Sequence, residues 1–231
     1  FDLMKTFIFC GGFGTRLNQG KPGPLKPLIN INKKTILENI FEIYSKDNHN
    51  DFYLLGGYKI DELYKFSKKI KKYNVSVIDT KIGSSTGARL NYIKNILEKE
   101  ENFFLTYGDS LANFKPNKAL KLKKKNEYVI SSFRYYPTYG VLNAKNNKVK
   151  DIYEKNFSFN INAGFYVLDS RIFDFINGNN ESFEKHVLPR VIKKKKKIRL
   201  FNLKKWCPID TIYDIENVKK LLKKDERYFY A

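Results

Sequence analysis

The chain has 231 residues, 42% of them apolar and 16% aromatic, which is enough to bury a substantial core and too many for a disordered polymer. No apolar run approaches the roughly 20 residues that would cross a bilayer, and two cysteines, Cys10 and Cys207, supply neither a disulfide framework nor a cysteine metal site. The net charge of +20 invites a nucleic-acid reading, but 37 Lys stand against 7 Arg, and base readout favours the planar fork of Arg.

Neither a nucleic-acid partner nor membrane insertion is therefore expected. Phe1 to Lys5 carry no secretory pattern, and with only two cysteines a reducing, cytoplasmic location is the expectation. Residues 6–10 form a short continuous apolar run ended by Gly11-Gly12, the pattern of a buried parallel strand. Residues 35–44 place Ile36, Leu37, Ile40, Phe41 and Tyr44 at helical spacing. Residues 52–57 then predict a strand and turn, 61–72 a helix, 75–78 a strand, 90–97 a helix and 103–107 a strand closed by Gly108-Asp109.

Strands alternating with helices imply βαβ units, a parallel sheet and right-handed crossovers. Such a sheet binds its ligand at the carboxyl ends of its strands, where Gly11-Gly12 and Gly108-Asp109 both fall. Beyond Asp109 the pattern turns β-rich, with strands predicted over 127–135, 139–142, 149–153 and 163–168 and a helix over 214–222. The expected fold is Rossmann-like α/β: a mixed, mostly parallel sheet flanked by helices, with a β-rich C-terminal half. One domain is expected over 1–231, with a nucleotide-binding half at 4–115 and an acceptor-binding half at 116–231. The Lys runs at 121–125 and 193–197 read as solvated faces.

Gly11-Gly12-Phe13-Gly14-Thr15-Arg16-Leu17 follows the first strand, and Lys26 comes ten residues after Arg16. A glycine turn lets backbone N–H groups approach phosphates, and Arg16 and Lys26 add the cations a triphosphate requires. The dinucleotide pattern G-x-G-x-x-G is absent. A D-x-D motif is absent too, which opposes a metal-dependent glycosyltransferase. No Ser/His or Cys/His nucleophile set stands out, and His49 and His186 read as surface or packing residues. Asp109 suits Mg²⁺, which takes one or two carboxylates plus substrate phosphates. Asp210, before a predicted helix, could equally be a cap.

The glycine string, with Pro24-Leu25-Lys26-Pro27 after it, resembles the signature of the sugar-phosphate nucleotidyltransferase family, G-G-x-G-T-R-L followed by P-K-P. Leu25 replaces the first proline. Thr106-Tyr107-Gly108-Asp109, and Trp206 with Asp210-Thr211 after it, are similar to elements of the glucose-1-phosphate cytidylyltransferase branch. So is Asp79-Thr80 with Ser85-Thr86-Gly87-Ala88-Arg89-Leu90, which in that branch touches the base. The resemblance implies CTP as nucleotide, bound by Gly11, Gly12, Gly14, Thr15, Thr86, Gly87, Arg89 and Asp109. It implies Mg²⁺ on Asp109 and Asp210, and catalysis by Arg16 and Lys26. Relatives often assemble as homo-oligomers, which the resemblance extends to this chain.

Glu154-Lys155 and Asn162-Ala163-Gly164 resemble the family's acceptor elements, which implies a phosphorylated small molecule held by Glu154, Lys155, Asn162 and Gly164. Asn156 stands where the family has proline, and Phe157-Ser158-Phe159 lacks the Gly-Trp of sugar-specific relatives. A relative of this shape transfers CMP onto phosphorylated glutamine for the phosphoramidate decoration of bacterial capsules. With the short, Lys-rich chain, these departures make L-glutamine phosphate the expected acceptor and glucose 1-phosphate the alternative.

Overall fold

Along β1 (Lys5–Phe9) the side chains alternate between two cores: Phe7 and Phe9 enter one and Ile8 the other. A strand buried on both faces needs helices above and below it, and the chain supplies them. The computed structural model describes residues 3–18, 20–99, 101–154, 157–178 and 180–230.

After β1 come the short hairpin β2 (Asn30–Ile31) and β3 (Lys34–Thr35), then α1 (Ile36–Ser45) and β4 (Asp51–Gly56). Thr35 and Glu38 form a capping box that starts α1, and Ile36, Leu37, Ile40 and Phe41 are fully buried under it. The chain continues through α2 (Ile60–Lys69), β5 (Asn74–Asp79), α3 (Thr86–Asn91), β6 (Asn102–Tyr107), β7 (Ser110–Ala112), α4 (Pro116–Leu122) and β8 (Glu127–Tyr135). An exposed two-stranded ribbon, β9 (Val141–Lys145) and β10 (Lys148–Tyr153), precedes β11 (Phe159–Asp169). α5 (Leu188–Lys193), β12 (Lys197–Leu203), β13 (Trp206–Pro208) and α6 (Ile212–Lys224) complete the described elements.

Seven strands make one sheet in the order β12-β8-β11-β6-β1-β4-β5. Every neighbouring pair is parallel except the two that β11 makes, so β11 alone runs against the rest. The sheet draws strands from both halves of the chain. From β1 the chain steps outward to β4 and β5, then returns to place β6 on the other side of β1. The loops leaving β1 and β6 therefore diverge, and a crevice opens between them at the carboxyl ends.

Element boundaries differ from the sequence expectation where tertiary partners decide them. The helix expected over 90–97 begins at Thr86, because the Glu181 carbonyl accepts from the N–H groups of Gly87 and Ala88. It ends at Asn91 and resumes only as a 3₁₀ turn, Lys94–Ile96. The helix expected over 61–72 stops at Lys69. The strand expected over 163–168 begins at Phe159, in a polar, exposed stretch that pairs with β8. β12 starts at the end of a Lys run read as a solvated face and pairs with β8. Among the described residues no helix is long and apolar enough to cross a membrane.

Candidate active site

The glycine loop leaves β1 at the crevice and is anchored from below. Arg89, 5% exposed, donates to the carbonyls of Gly11 (3.0 Å) and Gly56 (2.8 Å) and to the Thr80 hydroxyl. A Cβ on Gly11 would lie 2.0 Å from that guanidinium, so the position admits no side chain while Arg89 stays there. Gly14 takes φ +64° and turns the loop toward the cleft, whereas Gly12 faces open space. Tyr58 donates to the Gly23 carbonyl at 2.9 Å and packs its ring on Phe13, centroids 5.1 Å apart. Tyr58 belongs to none of the motifs legible in the sequence; its one signal there is its place just past the glycines that end β4.

Lys26 opens a 3₁₀ turn between the buried side chains of Leu25 and Pro27. Leu25, the departure from the family's proline, is an apolar anchor only 1% exposed. From that turn Lys26 Nζ reaches Asp210 Oδ1 at 2.7 Å and Asp109 Oδ2 at 3.3 Å. Arg16 approaches from the loop and bonds the other oxygen of Asp210. Gly14, Thr15, Arg16, Lys26, Asp109 and Asp210 line one cleft of about 170 Å³.

Two backbone features bring the carboxylates together. Asp109 follows β6, and β7 directly after it pairs antiparallel with β13, with Ser110 opposite Pro208. The pairing continues one step further, where Ile209 N donates to the Asp109 carbonyl at 2.8 Å. Asp210 thus emerges beside Asp109. It does not cap α6: Thr211 does, in a capping box with Asp214. Trp206 fixes the neighbouring strand by donating from Nε1 to the Ala163 carbonyl at 3.0 Å.

Burial raises the Asp109 carboxyl above the ordinary carboxylate range, against the pull of Lys26, and the like charge of Asp210 adds to the rise. Asp210 goes the other way: burial pushes it up, but Lys26 and Arg16 together outweigh that and hold it low. Two hard carboxylates that already share one cation are a donor set suited to a divalent metal completed by substrate phosphates.

The other expected residues make contacts outside the lining of that cleft. Thr86 accepts from Phe183 N at 2.8 Å and donates to Glu184 at 3.0 Å, and Gly87 packs on the Glu181 carbonyl. The N–H of Gly87 and the guanidinium of Arg89 thus meet protein carbonyls. At the start of β11, Asn162 accepts from Gly164 N at 3.0 Å and donates to the Tyr166 hydroxyl at 2.7 Å. Gly164, at φ +80°, sits in a bulge against Tyr107 at the end of β6. Glu154 lies against Gly140 at the base of the ribbon. Lys155 and Asn156 lie outside the described residues.

Residues 5–225 match the nucleotidyl transferase family. The chain belongs to that family. It is 27% identical to the glucose-1-phosphate cytidylyltransferase of Salmonella typhimurium over 91% of this chain and 93% of that protein. It is also 28% identical to the D-glycero-alpha-D-manno-heptose 1-phosphate guanylyltransferase of Campylobacter jejuni, over 86% and 91%. Among solved structures, HddC from Yersinia pseudotuberculosis shares the fold with a TM-score of 0.74 at 22% identity, over 94% of this chain and 98% of that one. The nucleotidyltransferase thus carries its glycine loop, lysine and two carboxylates at one crevice.

Proposed function

We propose that this nucleotidyltransferase transfers CMP from CTP to a phosphorylated small molecule and releases pyrophosphate, with Mg²⁺ held by Asp109 and Asp210. The observation that carries the reading is Lys26 reaching both carboxylates in the cleft that the glycine loop and Arg16 also line. The metal, when bound, would supply charge neutralisation on the phosphates. Loop N–H groups around Gly11 to Gly14 would seat the triphosphate. An acceptor phosphate oxygen attacks the α-phosphorus, the bond to pyrophosphate breaks, and the electron pair leaves with pyrophosphate. A phosphate is already ionised at neutral pH, so no general base is needed, and Arg16 and Lys26 act by placing positive charge where pyrophosphate departs.

For the acceptor, L-glutamine phosphate in capsule phosphoramidate synthesis is favoured by the aromatic surface around Phe157. Tyr153, Phe157 and Phe159 form a run of rings with centroids 4.9 and 5.9 Å apart, and Tyr135 packs on Phe159 at 5.5 Å. The Phe157 and Phe159 side chains offer no donors to read the hydroxyls of a sugar. Glucose 1-phosphate is the second reading, favoured by the Salmonella relative's activity. Pyrophosphate release from CTP with each acceptor in turn tests both. Efficient CDP-glucose formation, with kcat/KM of about 10⁴ M⁻¹s⁻¹ or more, would reject the glutamine reading and leave the nucleotide site standing.

A further inference from the structure

We infer that Lys26 is an exchangeable counter-ion: its ammonium and the divalent metal compete for the same oxygens of Asp109 and Asp210, and the arriving nucleotide draws it away. The inference rests on the metal reading above and concerns the order in which charges change partners. The ammonium donates 2.7 Å to Asp210 Oδ1 and 3.3 Å to Asp109 Oδ2, one oxygen from each carboxylate. A metal held by both residues would need that space. Arg16 completes the balance, so the two negative charges face two positive ones within one cleft.

A divalent ion arriving alone would leave the cleft with two excess positive charges and would have to break both Lys26 contacts. Polyphosphate removes that obstacle, because it offers Lys26 and Arg16 new anionic partners while the metal takes the carboxylates. The backbone is built for such a movement. Leu25 and Pro27 are buried on either side of Lys26 and hold its Cα, while Lys26, 8% exposed, carries a compact charge on a four-carbon stem with rotatable bonds. Metal and nucleotide should therefore favour one another, and the coupling must be equal in both directions.

The test is a Mn²⁺ titration followed by electron paramagnetic resonance, with no nucleotide present, on the wild type and on Lys26→Met, Lys26→Gln and Lys26→Arg. Circular dichroism of each variant checks the fold. Both neutral variants should bind Mn²⁺ about tenfold tighter, toward the lower end of usual site–site coupling, and Lys26→Arg should restore weak binding. A merely structural lysine would not produce that pattern. Affinity in Lys26→Met and Lys26→Gln no tighter than in the wild type overturns the exchange. The double variant Lys26→Met with Asp210→Asn separates the two ideas. Loss of Mn²⁺ there sustains the metal assignment whatever the single variants do. Unchanged tight binding there, or no Mn²⁺ binding in any variant, removes the metal assignment and the exchange with it.

Discussion

The Asp109 carbonyl accepts a hydrogen bond from the Ile209 amide at 2.8 Å, and that bond sets Asp210 beside Asp109 across a hundred residues of chain. Asp109→Asn and Asp210→Asn keep the shape of the site and remove its charge. Each should lower turnover by about a hundredfold or more, the scale of losing one charge-stabilising contact, with an unchanged circular dichroism spectrum. Turnover within a few-fold of wild type at limiting Mg²⁺ would show that the residue is no metal ligand.

Lys26 faces where charge develops, so its loss should act on the chemical step. Lys26→Ala is expected to reduce kcat by about a hundredfold, near 3 kcal/mol, even though the neutral side chain leaves the carboxylates open to metal. Steady-state kinetics decide the matter: a raised KM with kcat intact would mean that the lysine only binds substrate.

CTP should be turned over in preference to UTP, dTTP, ATP and GTP, because a site built to hydrogen-bond one base edge rejects others strongly. The guanylyltransferase relative makes GTP the informative rival. Equal rates with CTP and either dTTP or GTP, measured by pyrophosphate release, would place the chain in a different branch.

Arg89 carries the glycine loop on its guanidinium, and Arg89→Met would strand the buried carbonyl of Gly11, while the carbonyl of Gly56 keeps the Thr80 N–H. A loss of about 1–3 kcal/mol for the stranded group is expected, read as a lower unfolding midpoint together with weaker nucleotide binding. Weaker nucleotide binding with unaltered stability would instead mean that Arg89 meets the nucleotide itself.

His49 is 1% exposed; its Nδ1 accepts from Met4 N at 3.2 Å and its other ring nitrogen contacts Asn117 Oδ1 at 3.0 Å. Burial lowers its pKa, so the folded protein resists a proton that the unfolded chain takes up below about pH 6.5. Stability is then whole above that pH and drains away as the solution is acidified. The thermal midpoint of the wild type should fall between about pH 7.5 and about pH 5.5. His49→Asn, less stable at the upper pH, should show a flatter decline.

The strand-and-glycine punctuation made the parallel half legible, since apolar runs ending in Gly11, Gly57 and Gly108 carry their own boundaries. The loop, Lys26 and both aspartates could be read for the same reason: each sits in a short local pattern. What depended on distant partners was hidden. α3 begins at Thr86 only because the carbonyl of Glu181 meets its first turn, and β12 is a strand only because β8 lies beside it. The interior position of Arg89 was equally unreadable, because a helical arginine looks the same whether it faces water or three oxygens. His49, read as a surface or packing residue, is a packing residue whose hydrogen bonds span 45 and 68 residues.

β11 runs against every other strand of the seven-stranded sheet and fills the place between β6 and β8, two strands that both precede it in the chain. The ribbon turn at Asn146 and Asn147, exposed and at φ +52° and +59°, lies between β8 and β11. A chain severed there would yield a leading fragment that lacks the edge strand β12 and has a gap one strand wide between β6 and β8, and a trailing fragment holding both missing strands. Neither fragment could close its sheet alone, and mixing them would restore enzyme only as β11 slid home. Reassembly of the two fragments is the expected outcome, with pyrophosphate release as its signal.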